Sequence, residues 1–372
     1  MDTVKNAYWF APYNLENPSA RYRGWHVSQH LSIHYGLKVH FVVPQRNITG
    51  LLQFFNVYFL AILDQRNSSR IVIQKVCSNR WYARMLRVLV ALRSEDCHYD
   101  LDDAEYLRHP PGNLQYFLRK CGFVTVGSPG LADYCRHFNG NTHLITSPLR
   151  EHGFRKKKRS QRLHLGWVGD WGAGHPEAEA YSHRNSMFTY LFPQLLKLQK
   201  PVKLSLLGVH REEDRQEVLR YFRQYPHIEL HIPLNRQWQD DDWVYRQISD
   251  FDVGLSILNN HLFNHCKSAF KLKQYLSVGV PVIASAVGEN KRFVKHRYNG
   301  FLCHKSSDIL MALEAFASMS QVDYKRMCEA TCVDHEKYST DTFCRKLLEV
   351  WTMRAGLPSG VTIVSQTPGY QD

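Results

Sequence analysis

Residues 267–290 read KSAFKLKQYLSVGVPVIASAVGEN. Two structural periods meet in this stretch. Ser268–Val278 has helical spacing, with Phe270, Tyr275 and Val278 able to face a core and Ser268 suited to the N-cap. Val280–Ala284 is a short apolar run that reads as a buried strand, marked off by Gly279 and with Pro281 near its start. A helix feeding a buried strand is the repeating unit of a parallel sheet covered on both faces. Lys267 and Lys271 lie at the start of the helix, where positive charge opposes the helix dipole. An anion resting on the free N–H groups there reverses the sign of that interaction. Lys267, Lys271 and Gln274 fall at i, i+4 and i+7, on one face. Such a face suits a phosphate and a ribose, and it suits equally a surface helix whose lysines reach water.

The same alternation extends in both directions. Strands are predicted at Ala7–Ala11, Val39–Val43, Arg70–Gln74, His98–Leu101, Phe123–Val126 and His143–Ile145. A second series follows at His164–Val168, Lys203–Leu207, Ile228–His231, Val253–Ser256, Val280–Ala284 and Gly300–Cys303. Helix-length segments lie between them. The fold class is therefore α/β, with two doubly wound Rossmann-like domains. Residues 1–150 form the first domain and 163–335 the second. Residues 151–162, EHGFRKKKRSQR, are polar with six basic residues and read as a linker. Residues 336–356 are expected to form a last helix that packs back on the N-terminal domain, and 357–372 a loosely held tail.

Composition narrows the classes. The chain has 372 residues, 44% of them hydrophobic, which excludes a disordered chain and a disulfide miniprotein. No run of eighteen apolar residues occurs, so no spanning helix is predicted; LLQFFNVYFLAIL, after Gly50, reads as a buried or interfacial helix. The nine cysteines are scattered without a CxxC pair, as in a reducing compartment, and no zinc-like spacing is present. The N-terminus lacks the basic and apolar regions of a signal peptide. Residues 1–162 carry 23 Lys/Arg against 11 Asp/Glu, whereas 163–372 carry 24 against 23. One half is basic and meets something anionic: a membrane surface, a nucleic acid or a phosphorylated substrate.

The ordered motifs resemble one family. K-S-x-x-K-x-x-Q-Y-x-x-x-G-x-P-V-I-A-S-x-V-G-x-N, followed by Asn299–Leu302, looks like the donor-binding core of group-1, family-4-type glycosyltransferases of the GT-B fold. Asp252–Leu258 (DVGLSIL) and Gly166–Gly172 (GWVGDWG) resemble the strands and glycine loop of that core. Tyr99–Ala104 (YDLDDA), Val124–Cys135, Ile145–Leu149 and Ser19–Gly24 (SARYRG) resemble the acceptor domain of a subgroup with a D-x-D-D-A stretch. The matches run in order over residues 7–350.

The resemblance implies two domains facing across a cleft, a nucleotide-sugar donor (UDP- or GDP-sugar) on the C-terminal side and a glycan or lipid-linked acceptor on the N-terminal side. It implies retention of anomeric configuration, with no cofactor and no metal. Lys267 and Lys271 would stabilise the departing diphosphate. Gly169, Gly172, Ser268, Gln274, Arg184, Gly288 and Asn290 would join Lys271 around the donor. Arg21, Arg23 and Asp102 would meet the acceptor, and Asp103 would orient or deprotonate its hydroxyl. Asp100, Asp102 and Asp103 equally form a helix N-cap cluster, and strand alternation would turn Asp103 away from the other two. His183 reads as structural or solvated. Many relatives carry glutamates where this chain has Cys266 and Gln274; glutamine still bonds ribose hydroxyls, whereas cysteine does not replace a carboxylate.

The function read here is transfer of a sugar to a bacterial surface glycan, by a cytoplasmic protein peripheral to the inner face of the membrane. A nucleotide-sugar epimerase shares the two-domain shape, and a non-catalytic or nucleic-acid-binding basic protein would also carry this charge. Nucleic acid is not an expected partner, because neither interleaved aromatic RNA motifs nor a helix-turn-helix signal is present.

Overall fold

The computed structural model describes residues 4–43, 45, 47–64, 68–156, 158–172, 176–234, 239–331 and 335–353. The predicted tail 357–372 lies outside them. Two six-stranded sheets form. The first contains β1 (Asn6–Phe10), β2 (Lys38–Val42), β3 (Ser69–Gln74), β4 (Cys97–Leu101), β5 (Phe123–Val126) and β6 (Thr142–Leu144), in the order β2-β1-β3-β4-β5-β6. The second contains β7 (Leu163–Val168), β8 (Val202–Leu207), β9 (Ile228–His231), β10 (Val253–Ser256), β11 (Val282–Ser285) and β12 (Gly300–Cys303), in the order β12-β11-β10-β7-β8-β9. Neighbours pair in parallel, with Tyr8 opposite Ile71 and Leu165 opposite Val253.

Every predicted strand forms, with ends shifted by a residue or two. The reading Val280–Ala284 moves to Val282–Ser285, because Pro281 has no N–H to give to a ladder. Its carbonyl still accepts from Gly254 N at 2.9 Å.

Three helices cover much of the first sheet: α1 (His26–Tyr35), α2 (Ile48–Leu63) and α3 (Arg80–Arg93). β1 is buried on both faces, as parallel strands are. Tyr8 and Phe10 pack with Phe54, Val57, Tyr82 and Leu86 under α2 and α3. Ala7 and Trp9 turn the other way, to Val27 and Leu31 of α1. The helix Thr340–Thr352 joins this second cluster through Phe343, Leu347 and Trp351. Burial holds the His98 imidazole down at about 4, so it is neutral and its Nδ1 accepts from Trp351 Nε1 at 3.2 Å.

No helix or strand occupies 151–162 among the described residues, yet its basic side chains are not simply solvated. Lys156 Nζ lies 2.9 Å from the buried Asp252. Arg155 donates to Ser277 O at 2.8 Å, and Arg159 to Ala317 O at 3.0 Å. Those carbonyls end the helices Phe270–Val278 and Ser306–Ser318, where positive charge suits the helix dipole.

Strand order locates the site. In open parallel sheets, ligands sit beyond the carboxyl ends of the strands where the winding reverses. That point lies between β1 and β3 in the first sheet and between β7 and β10 in the second. Trp351→Ala should lower the stability of the full chain by about 3–5 kcal/mol. Denaturant unfolding checks this; an unchanged midpoint would mean that the last helix contributes little to the first domain.

Candidate functional site

A cavity of about 600 Å³ opens at both reversal points. Its C-terminal wall includes Val168–Asp170 at the end of β7, Ser256 and Leu258 at the end of β10, and the start of the helix Phe270–Val278. That helix begins later than the sequence predicts. Its N-cap is Ala269, not Ser268, and no side chain caps it among the described residues. Ala269 sits in the left-handed region (φ 50, ψ 36), which costs an ordinary residue about 1–2 kcal/mol. The first N–H groups of the helix therefore start unsatisfied, at the cavity wall. Ser268 lies on that wall as well, 3.3 Å by its Oγ from Ser147 Oγ of the N-terminal half.

Lys267 and Lys271 both line the cavity. Burial holds the Lys271 ammonium well below the ordinary lysine value, and Lys267 pushes it further. Burial lowers Lys267 too, against the pull of Asp103. Lys271 Nζ stands 4.9 Å from the centre of the Trp167 ring and 2.8 Å from His183 Nε2. His183, read from sequence as structural or solvated, faces the cavity instead. Burial first, then Lys271 and Lys267, hold its imidazole well below the usual value, so it is neutral. Gly169 completes the corner: with φ 154, a Cβ there would lie 2.9 Å from Lys271 Nζ. Gly172 also borders the cavity.

Three proposed donor residues take other roles. Arg184 is not on the wall. It follows His183 by one residue in the short helix His183–Ser186, and that step turns it outward to Glu217 (3.0 Å) and Glu179 (2.7 Å). Gly288 closes a turn against the carbonyls of Asn264 and His265 and is not a lining residue. Asn290 does border the cavity, but its amide donates to Ser256 O (3.1 Å) and Ser285 O (3.0 Å), tying β10 to β11. Gln274 lines the wall and reaches Tyr22 OH at 3.4 Å.

The N-terminal wall is acidic and tightly paired. β4 ends at Leu101, so strand alternation stops before Asp102 and Asp103, and both turn to one ammonium. Lys75 Nζ lies 3.1 Å from Asp102, 2.6 Å from Asp103 and 3.1 Å from Glu105. Burial would raise the Asp103 carboxyl, but Lys75, Lys267 and Arg108 outweigh it and hold the group far below the usual range. Burial raises Asp102, which also accepts from Ser19 Oγ. Lys75 (φ 51) and Ala269 are two of the three described non-glycine residues at positive φ. Backbone strain of this kind, about 1–3 kcal/mol each, gathers where function requires a fixed geometry.

Of the three arginines on this wall, Arg21, Arg23 and Arg108, the first two are spoken for. Arg23 is fully buried, and all three of its nitrogens bond inside the protein: to Asp100, to Ile145 O and to Ser147 Oγ. It borders the cavity, but as a strut whose nitrogens are all bonded within the protein. Arg21 Nε lies 3.2 Å from Asp241 of the C-terminal half, and Tyr22 OH donates to the same carboxylate. These contacts hold the two halves together, as do Ser128 Oγ to Cys266 O (2.6 Å) and Lys273 Nζ to Ser147 O (2.6 Å). Cys266 packs in the core under the seam and is not a lining residue.

The sequence reading missed Lys75, Asp241 and Glu289. Lys75 directly follows β3 at the first reversal point, a positional signal that was available. Asp241 carries no motif. Glu289 lines the cavity, and burial raises its carboxyl although Arg292 lies 3.1 Å away. Cys77, Glu105 and His109 bring one metal-ligand atom each within 4.8 Å of one another. None of the three borders the cavity, and Glu105 is already paired with Lys75.

Comparisons define the class. Residues 192–350 match the family model described as Glucosyltransferase 3-like, C-terminal domain. A sucrose-phosphate synthase from Thermosynechococcus elongatus superposes with a TM-score of 0.68 at 11% identity, covering 93% of this chain and 98% of that one. HepE of Anabaena, in complex with UDP and glucose, gives 0.61 at 11% identity, with the same two coverages. TarM of S. aureus, in complex with Fondaparinux, alpha-GlcNAc-glycerol and UDP, gives 0.54 at 12% identity, covering 80% of this chain and 59% of that one. No curated protein sequence matches the chain. The fold is thus of the GT-B glycosyltransferase type. Within it, residues 192–350 are similar to the Glucosyltransferase 3-like C-terminal domain.

The depressed Lys271 ammonium gives a pH test. A diphosphate beside Lys271 raises the lysine's pKa above its value in the free protein. Binding of UDP then takes up protons, and affinity falls as pH rises through the bound value. Above pH ~7.5 the diphosphate itself is fully ionised. Titration calorimetry in two buffers should show net proton uptake for wild type. Lys271→Arg, whose guanidinium stays charged, should flatten the dependence. Equal pH profiles for both would contradict the assignment.

Proposed function

We propose that this protein is a retaining glycosyltransferase. It moves a sugar from a nucleoside-diphosphate donor, held by the C-terminal half, to a hydroxyl of a glycan or lipid-linked acceptor on the N-terminal wall. Its place is the assembly of a bacterial surface glycan, at the cytoplasmic side of a membrane. The observation that carries the reading is the pair of half-buried ammoniums, Lys267 and Lys271, at an uncapped helix start on the cavity wall.

The chemistry follows from charge. As the bond from the sugar to the diphosphate breaks, negative charge grows on the leaving oxygens. Preorganised cations and helix N–H groups stabilise that charge more than they stabilise the ground state. They do so without an obligatory metal. Gln274 and Glu289 supply the polar groups for ribose and sugar hydroxyls. Asp103, kept ionised by Lys75, orients the incoming hydroxyl; a carboxyl so acidic is a poor general base, which fits a reaction in which the leaving phosphate takes the acceptor's proton. UDP is the favoured nucleotide, because the similar HepE and TarM structures hold it.

Lys271→Ala should lower donor turnover by about 10²–10³-fold while leaving the melting temperature near that of wild type. Donor hydrolysis measured across UDP-sugars checks it. Loss of less than a few-fold would remove Lys271 from the catalytic machinery. Proton NMR of the first-formed sugar should show the donor's own anomeric configuration.

A further inference from the structure

Eighteen large hydrophobic residues are exposed among the described residues, and eight of them lie on two adjacent helices: Ile48, Leu52, Phe59, Leu60 and Leu63 on α2, and Trp81, Val88 and Leu92 on α3. They are not scattered around those helices. Ile48, Leu52, Phe59 and Leu63, with the half-buried Phe55, fall at i, i+4, i+7, i+11 and i+15. Trp81, Val88 and Leu92, with the half-buried Met85, follow the same spacing on α3. Each set is one stripe, and the opposite stripe of each helix is already buried against the sheet. The Trp81 ring stands 5.3 Å from Phe54 and 6.2 Å from Phe55, so the two stripes join into one surface. A contiguous apolar face of this kind marks an interaction site rather than ordinary surface.

Charge selects the occupant. The sixteen residues of α2 contain no charged side chain. The fourteen of α3 contain four arginines and no acid; Arg80, Arg84 and Arg87 are exposed in a row beside its apolar stripe. An apolar face on two helices whose charged side chains are all guanidiniums complements a layer that is apolar inside and anionic at its surface. No helix is long and apolar enough to cross a membrane among the described residues, so this face lies on the layer rather than spans it. Both helices start just beyond the carboxyl ends of β2 and β3, the edge of the first sheet that opens on the cavity.

We infer that the α2–α3 face docks on an anionic lipid bilayer, inserting Leu52, Phe59, Leu63 and Trp81 among the acyl chains while Arg80, Arg84 and Arg87 meet the headgroups. This rests on the reading of a lipid-linked acceptor above and gives it a location: the cavity mouth faces the bilayer surface.

The test is flotation of the full chain with vesicles of phosphatidylcholine containing ~30% phosphatidylglycerol, beside vesicles of phosphatidylcholine alone. Wild type should float with the anionic vesicles and be weakened, not abolished, by ~0.5 M salt. Leu52→Glu/Phe59→Glu/Leu63→Glu should cut the bound fraction by about tenfold at any salt. Arg80→Gln/Arg84→Gln/Arg87→Gln, at exposed positions that do not threaten the core, should remove the salt-sensitive part alone. Brominated lipid should quench a share of the tryptophan fluorescence that vanishes in Trp81→Phe. Unaltered flotation of both triple variants would overturn the inference. So would absence of wild-type flotation together with a dimer in sedimentation that the glutamates dissociate, since the face would then pair with a second copy. UDP-induced thermal stabilisation of each variant separates the outcomes: it should stay at the wild-type value, and its absence in wild type would sink the donor-site reading without touching the lipid result.

Discussion

Two ammonium groups, Lys267 and Lys271, stand half-buried at the start of a helix whose dipole they oppose. Placing each there costs about 0.3–1 kcal/mol in dipole repulsion alone. Desolvation adds more, and is the main reason that both pKa values fall. An anion between the cations and the N–H groups reverses these signs together. The local geometry serves that arrangement: Ala269 is held left-handed, the helix is left uncapped, and Gly169 withholds a side chain where Lys271 must pass.

The opposite wall answers with its own charges. Lys75 holds Asp102, Asp103 and Glu105, and Lys267 adds to the field that keeps Asp103 ionised. The two halves are thus electrostatically coupled across the cavity. They are also joined mechanically, since Arg21 and Tyr22 share Asp241, and the last helix returns to the first sheet through Trp351. A carboxylate buried in such a seam requires its partners, because an unpaired charge there is expensive. Asp241 therefore works as a latch between the walls and not as a ligand-binding group.

Much of this was legible in the chain. All twelve strands were readable, because parallel strands buried on both faces appear as short apolar runs between helical segments, and the motifs from Gly166 and Lys267 onward fall on the C-terminal wall of the cavity. What failed did so for local reasons. Arg184 and His183 are adjacent on one helix turn, and sequence does not say which of them faces the cavity. Ser268 looked like an N-cap because residue type alone does not reveal that Ala269 would turn left-handed. Asp102 and Asp103 looked opposed because strand alternation was carried past Leu101, where β4 ends. Arg23 looked like a free cation because its partner, Asp100, is 77 residues away and meets it only in the folded core. Buried polar pairs at long separation leave no period to read.

The most direct measurement is a crystal structure of the protein with UDP bound. The account predicts β-phosphate oxygens within hydrogen-bond distance of Lys271 Nζ and of the N–H groups that open the helix Phe270–Val278, with the ribose beside Gln274. UDP bound elsewhere, or a cavity still closed over the His183–Lys271 contact at saturating nucleotide, would contradict it.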